Sequence, residues 1–198
     1  TRARAAGVTR IVTICTRLRH EPRVRAIAEG NPGVFYAAGT HPMSAGEEPM
    51  ATVDELTALA RHPKFVAIGE TGLDYHYTAD TAAVQQQSLR IHIAAARQTG
   101  LPLVIHARAA DDDMARILTE EYGNGAYSCV MHCFSSGPAL ARAALMGARG
   151  NSGVILSQIV RGAAEELASR PGELVDPVLV AAAETSGLAD CPLPGQCF

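Results

Sequence analysis

Four segments of the sequence end alike: VFYAAGTH (34–41), FVAIGE (65–70), LVIH (103–106) and CVMH (129–132). Each is a short apolar run, typical of a buried β-strand, that stops at a histidine or a glutamate. In a (β/α) barrel the C-terminal ends of the strands meet at one mouth, so side chains far apart in the chain come together there. The four endings therefore predict one site, built from His41, Glu70, His106 and His132.

The segments around these runs show helical periodicity, and a further apolar run at 8–16 predicts an earlier strand. Thr52–Glu55 predicts a capping box at the start of one helix. A longer helix is expected over about residues 81–98 with Gly100 as its stop, and Asp111 is expected to cap the helix that follows. Strands that alternate with helices are typical of an α/β fold with a parallel sheet.

The pattern changes after Leu145, where GARGNSG (147–153) places three glycines in a segment typical of a loop. The tail beyond it carries weaker strand and helix signals. We therefore predict two parts, an α/β body over residues 1–145 and a divergent, irregular C-terminal segment over residues 146–198.

Composition limits the classes of function. The formal net charge of -3 over 198 residues excludes a protein that binds nucleic acid chiefly through a basic surface, so a phosphate substrate would need local neutralisation. The five cysteines include no C-x-x-C pair, which favours a reducing compartment such as the cytoplasm. No apolar run approaches the length of a membrane span and no signal-peptide pattern is present, so we expect no membrane association. The first residue is Thr, which suggests that the natural N-terminus is missing.

Two imidazoles and a carboxylate form a ligand set that suits Zn²⁺ or Mn²⁺. A bound divalent ion polarises a phosphoryl oxygen and lowers the pKa of water toward about 7, which is the chemistry of a hydrolase. We expect Glu70, His106 and His132 to converge on such a site. For His41, which Pro42 follows at once, a role in ordering a loop or contacting substrate is an equal alternative to metal binding.

Two more side chains near these strand ends are candidates. Arg108 lies two residues beyond His106 and could contact a phosphate, and Asp74 lies after Glu70 and could orient a ligand. A salt bridge at the rim is the alternative for both. The remaining histidines are expected to be ordinary surface residues: His20, His62, His76 and His92.

The motifs around these candidates resemble, in order, those of the TatD family of metal-dependent deoxyribonucleases: GTHP (39–42), AIGETGLDYHY (67–77), LPLVIHAR (101–108) and MHCFSSG (131–137). The resemblance covers about residues 1–145. It implies a TIM barrel with divalent metal ions, Zn, Mn or Mg, at its mouth, and hydrolysis of the phosphodiester bonds of DNA. No protein partner is indicated.

By motif match, the resemblance also assigns roles to individual residues. Glu70 would be the catalytic, metal-bridging carboxylate, and His106 and His132 would be metal-binding imidazoles. His41 would lie at the edge of the site, near the substrate phosphate.

Two parts of the family pattern have no counterpart here. The family's first strand ends in a His-x-His pair, yet no histidine precedes Val8, and the family's final ETD motif is matched only by Glu184-Thr185-Ser186. A serine hydroxyl is neutral near pH 7 and does not replace an anionic ligand; Asp190 is a distant substitute. A complete barrel typically needs about 250 residues. We therefore expect an incomplete TIM barrel that lacks its first strand, with weak metal binding and little activity.

Two other functions stay open. Residues 143–168 resemble the phosphate loop of dihydroxyacetone kinase-like domains, which would make the chain a nucleotide- or phosphate-binding fragment through Gly147–Gly153. The acidic cluster that holds Mg²⁺ in that family is absent. The other possibility is an amidohydrolase-like enzyme on a small amide or ester, because metal ligands alone do not identify the substrate.

Overall fold

A computed structural model describes residues 2–132 together with Ser136 and Leu140. Within these residues one parallel sheet has its strands in chain order: β1 (Ile11–Cys15), β2 (Val34–Ala38), β3 (Phe65–Asp74), β4 (Leu103–Arg108) and β5 (Cys129–Met131). The α-helices of the described part are α1 (Arg2–Ala5), α2 (Glu21–Glu29), α3 (Val53–Leu59), α4 (Ala82–Thr99) and α5 (Asp111–Gly123). Short 3-10 turns cover Leu18–His20, Pro42–Ser44 and Ala79–Thr81.

The parallel α/β arrangement is the predicted fold class. Because the strands follow one another across the sheet and run in one direction, their C-terminal ends lie along a single edge. Helix and sheet side chains that are fully buried form the core beneath that edge: Tyr36, Ile68, Leu73, Leu89, Ile93, Leu103, Ile105 and Met114. The edge is therefore supported by a packed layer.

Strand β3 continues five residues beyond FVAIG (65–69), the apolar run that precedes Glu70 in the predicted segment. Its second half continues beside β4, with Gly72 opposite His106 and Asp74 opposite Arg108. Gly72 has a φ of +145°, and a Cβ at this position would overlap the carbonyl oxygen of His106. A glycine that marks a loop in the sequence here allows two strand backbones to approach closely.

The predicted helix ends are partly confirmed. Thr52 and Glu55 form the capping box, with the Glu55 N–H donating to Thr52 Oγ1 at 3.2 Å and the Thr52 N–H donating to Glu55 Oε2 at 2.7 Å. Gly100 ends α4 in the left-handed conformation, with φ of 71°. The prediction for Asp111 is wrong, because α5 already begins at Asp111 and Ala110 occupies the N-cap position. Asp111 instead lies in the acidic first turn, where negative charge favours the helix dipole.

The prediction that His92 is a surface residue is also wrong. His92 is completely buried on α4, where its Nδ1 lies 2.8 Å from the Ser88 carbonyl oxygen and its Nε2 accepts the Thr40 N–H at 3.1 Å. The ring therefore ties α4 to the loop that carries His41. Of the other three histidines expected at the surface, His20 and His76 are exposed. His62 is half-buried, and its Nε2 lies 3.1 Å from Oε1 of Glu29.

Several predictions lie outside the described residues. They include the boundary between residues 145 and 146, the Gly147–Gly153 loop, and the positions of Ser186 and Asp190. In the part that is described, no helix has the length and apolar character needed to cross a membrane.

Candidate metal centre

Three of the predicted site residues meet at the C-terminal edge of the sheet. His41 follows β2, Glu70 lies in β3 and His106 lies in β4, and one ligand atom of each lies within 4.8 Å of the others. Glu70 Oε1 is 3.3 Å from Nδ1 of His106 and 3.8 Å from Nε2 of His41. Residues separated by dozens of positions thus converge, as the strand endings predict.

Glu70 reaches this position because β3 is irregular at that point. The register between β3 and β4 shifts between Ile68 and Thr71, on either side of Glu70. The preceding residue, Gly69, has a φ of +120°, and a side chain there would press against the β4 backbone at Val104. The glycine lets the two strands stay close while the Glu70 carboxylate turns toward the imidazoles of the edge.

His106 is held between two carboxylates. Its Nε2 lies 3.0 Å from Oδ2 of Asp74, and its Nδ1 faces Glu70. Asp74 is buried, and its Oδ1 accepts the backbone N–H groups of His76 and Tyr77 at 3.1 and 3.0 Å. A carboxylate on one ring nitrogen is the usual support of a metal-binding histidine, and an ion at Nδ1 would replace the proton that this nitrogen donates to Glu70. Asp74 therefore lies behind His106, and its role of orienting a ligand stays a prediction.

The ring of His41 accepts a hydrogen bond, whereas the ring of His106 donates one to Asp74. The backbone N–H of Met43 donates to Nδ1 of His41 at 3.2 Å, so the neutral ring carries its proton on Nε2. That N–H points toward the Glu70 carboxylate. A protonated nitrogen donates a hydrogen bond and does not bind a metal ion. Of the two roles left open for His41, its hydrogen bonding favours contact with a substrate oxygen over metal ligation.

The electrostatics of the cluster suit a cation. Burial would raise the pKa of Glu70, but the neighbouring histidines outweigh it, first through the hydrogen bond from His106, so its pKa lies below the usual value. Burial would likewise raise the pKa of Asp74, yet hydrogen bonds from the Tyr77 N–H and from His106 lower it. Burial and the neighbouring His106 charge lower the pKa of His41. The hydrogen bond to Glu70, followed by the one to Asp74, in turn raises the pKa of His106 against the effect of burial. Near pH 7 the site thus holds two carboxylates and a neutral His41, and a cation would replace the proton on Nδ1 of His106.

His132 follows β5 and is exposed. Its backbone N–H donates to the Ile105 carbonyl oxygen at 2.8 Å, which places it beside β4. Its imidazole is outside the three-residue cluster, although its charge contributes to lowering the pKa of Glu70. The predicted metal role of His132 stays a prediction.

Arg108 ends β4 at the rim of the site. Its side chain is exposed, and its guanidinium carbon lies 4.7 Å from the centre of the Tyr77 ring. Roles for Tyr77 and for the contact between His92 and Thr40 were not predicted from the sequence. Signals for both were present: Asp74 before His76 and Tyr77 is typical of an Asx turn, and His92 shares a helical face with Leu89 and Ala96.

Glu70 and Nδ1 of His106 are the donors best placed to hold a metal ion. Together they offer one carboxylate and one supported imidazole nitrogen. This mixed oxygen and nitrogen set fits Zn²⁺ or Mn²⁺ better than Mg²⁺, which prefers oxygen ligands and water.

Comparison with known proteins gives consistent matches. The sequence model of a family described as "TatD related DNase" matches residues 1–173. The chain is 40% identical over 146 residues to the "Uncharacterized metal-dependent hydrolase TatD" of Mycobacterium tuberculosis, covering 71% of this chain and 54% of that protein. It is 31% identical over 135 residues to the "3'-5' ssDNA/RNA exonuclease TatD" of Escherichia fergusonii, covering 68% of this chain and 52% of that protein.

The fold comparison agrees with the sequence matches. The crystal structure of YJJV, a TatD homologue from Escherichia coli K12, superposes with a TM-score of 0.64 at 28% identity. The match covers 73% of this chain and 56% of that one. The chain spans about half the length of the curated relatives that it matches.

Proposed function

The chain belongs to the family of TatD-related DNases, and from this premise we propose that it is a metal-dependent hydrolase of phosphodiester bonds in DNA. The observation that carries the proposal is the position of His106. Asp74 holds one of its ring nitrogens while the other faces Glu70, so a supported imidazole and an ionised carboxylate share one side of the strand edge.

Each residue of the site has a separate role in the proposed reaction. Glu70 and His106 would hold the ion, with His132 as a further proposed ligand, and a bound divalent ion would polarise the phosphoryl oxygen and acidify water. Asp74 keeps a proton on Nε2 of His106, so Nδ1 would be the ring nitrogen that gives up its proton when the ion binds. His41 is poised to donate its Nε2–H to a phosphate oxygen.

We infer that the substrate is single-stranded. The support is the name of the Escherichia fergusonii relative, a 3'-5' ssDNA/RNA exonuclease. The mildly acidic chain also agrees with local neutralisation of one phosphate in preference to binding of a duplex along a basic face. A cytoplasmic location remains part of the proposal, based on the sparse cysteines.

The first test is metal binding measured by calorimetry with Mn²⁺ and with Zn²⁺. Glu70→Gln is expected to weaken the affinity at least about tenfold, because it removes an anionic ligand while keeping the side-chain volume. Glu29→Gln, an exposed residue of α2, removes the same charge away from the site and serves as the matched control. Equal affinities of the two variants would contradict the assigned site.

The second test is hydrolysis, measured on bis(p-nitrophenyl) phosphate and on a single-stranded oligonucleotide with Mn²⁺. We expect slow cleavage of both, abolished by Glu70→Gln and retained by Glu29→Gln. Cleavage of p-nitrophenyl acetate without cleavage of either phosphodiester would favour the amidohydrolase-like alternative.

A further inference from the structure

An exposed aromatic residue and an exposed arginine lie together beside the candidate metal centre. Tyr77 is 56% exposed, and the guanidinium of Arg108 stacks over its ring at 4.7 Å. His76 meets the Tyr77 ring edge to face, with the centroids 4.5 Å apart. Neither the packing of the core nor the proposed metal ligation requires a tyrosine in this exposed position.

We propose that Tyr77 and Arg108 form a stacking platform for a nucleobase of single-stranded DNA or RNA. This inference rests on the proposed function, since it concerns the nucleotide whose phosphate reaches the metal centre. The ring and the guanidinium plane are both surfaces on which bases stack.

The platform is positioned by the same carboxylate that positions the metal ligand. Asp74 accepts a hydrogen bond from His106 with Oδ2 and from the Tyr77 backbone with Oδ1. The Tyr75 N–H also donates to the Arg108 carbonyl oxygen at 3.0 Å, which joins the Tyr77 loop to the end of β4. The loop and the strand end are thus tied to each other and to His106.

Strand geometry sets the separation between platform and metal centre. Arg108 follows His106 by two residues, so both side chains leave the same face of β4, about 6.6 Å apart along the strand. A phosphate at the metal centre would therefore have the next part of its nucleotide beside Arg108 and Tyr77. Arg108 keeps N–H donors for a phosphate while its flat face stacks.

Stacking also accounts for how an acidic chain could hold a polyanion. With a net charge of -3, broad electrostatic attraction to nucleic acid is unfavourable. Base stacking does not depend on net charge and tolerates any base, because each base has a π-face. The platform therefore predicts affinity for single strands without sequence preference.

The experiment is fluorescence anisotropy in EDTA with a labelled oligothymidylate and with an abasic oligonucleotide of equal length. Tyr77→Ala is expected to weaken oligothymidylate binding about tenfold or more, whereas Tyr77→Phe retains it. Arg108→Ala is also expected to weaken binding. Arg61→Ala removes an exposed charge before β3, at the opposite edge of the sheet, and is expected to bind like the unmodified chain. The abasic strand should bind Tyr77→Ala and the unmodified chain equally.

Three results would overturn the platform. They are no oligothymidylate binding by the unmodified chain, equal binding by folded Tyr77→Ala, or an equal loss for the abasic strand, which would indicate contacts to the backbone alone. Hydrolysis of bis(p-nitrophenyl) phosphate by the unmodified chain is measured in parallel. Hydrolysis without Tyr77-dependent binding would contradict the platform and support the proposed function. Tyr77-dependent binding without hydrolysis would support the platform and contradict the proposed function.

Discussion

Asp74 links three parts of the site. Its two oxygens contact His106 on β4 and the backbone of the Tyr77 loop, and its own N–H donates to Gln85 Oε1 on α4 at 2.8 Å. A metal-binding histidine loses orientation and basicity when the acceptor behind it is removed. Asp74, for which the sequence left open an orienting role or a rim salt bridge, therefore has defined contacts in the structure.

Asp74→Asn is expected to weaken Mn²⁺ binding about 10- to 100-fold. The amide removes the charge that keeps the proton on Nε2 of His106, so Nδ1 becomes a poorer ligand. Calorimetric titration measures the change, with Asp54→Asn on the exposed side of α3 as the control. An unchanged affinity would mean that His106 does not bind the ion through Nδ1.

His92 gives the folded chain a pH dependence. Burial lowers its pKa from 6.5 to about 4, so below pH 6.5 the unfolded chain takes up a proton that the folded chain does not. The stability associated with neutral His92 is therefore complete above pH 6.5 and is lost as the pH falls toward about 4, at up to about 1.4 kcal/mol per pH unit.

Urea denaturation of the unmodified chain and of His92→Gln between pH 8 and pH 5 tests this expectation. The free-energy difference between the two should shrink as the pH falls, because glutamine can accept the Thr40 N–H and does not titrate. His20→Gln, at an exposed histidine, is the control. A difference that is constant over this range would contradict a buried, neutral His92.

At the scale of elements, the pairing of β3 with β4 decides the geometry of the site. Glu70 and Asp74 lie on β3, His106 and Arg108 lie on β4, and Gly72 permits the close approach between them. Any residue other than glycine at position 72 has to separate the strands or distort their hydrogen bonds. The position of the site thus depends on a residue that contributes no side chain.

Gly72→Ala is expected to destabilise the chain by about 3 kcal/mol or more, because the added methyl group meets the β4 backbone at a positive φ. Chemical denaturation measures the loss. Gly123→Ala is the matched control: its Cβ would meet nothing within 4 Å at the end of α5, where alanine favours the helix. A small and equal effect of both substitutions would contradict the close pairing of β3 and β4.

The elements also show how far sequence patterns reach. Apolar runs and the Thr52–Glu55 cap are local signals, and the strands and the start of α3 follow them. The second half of β3 could not be predicted, because TGLD (71–74) has the local composition of a turn and becomes a strand only by pairing with β4. For His92 the shared face with Leu89 and Ala96 is a signal of burial, but its partner could not be predicted, since the Thr40 N–H comes from a segment 52 residues away in the chain.

At the scale of the whole molecule, charge limits how nucleic acid can bind. The net charge is -3, and arginines near the end of β1 are already paired: Arg17 lies 2.7 Å from Glu47 and Arg19 lies 3.0 Å from Glu48. Arg108 is the exposed arginine on β4 at the candidate site. Attraction to a phosphate backbone is therefore expected to be local.

This distribution predicts weak salt dependence of single-strand binding. A plot of log affinity against log salt, measured by anisotropy in EDTA, is expected to have a slope no steeper than about -2, since each neutralised phosphate contributes about -0.7. Arg108→Ala should reduce the slope and Arg61→Ala should leave it unchanged. A slope near -5 would indicate an extended basic surface and contradict the local contact.

The sequence by itself determined the parallel α/β class, the family resemblance and the strand endings that supply the candidate ligands, because periodicity and motif order are local properties of the chain. Tertiary structure alone decided the hydrogen bonding of the His106 ring. His106 and His41 are alike in sequence, yet Asp74 accepts from one ring and Met43 donates to the other. The bond to Met43 is local to the turn that begins at His41, whereas the bond between Asp74 and His106 joins two strands. The chemical role of His106 therefore depends on the fold that brings its partner from a distant part of the chain.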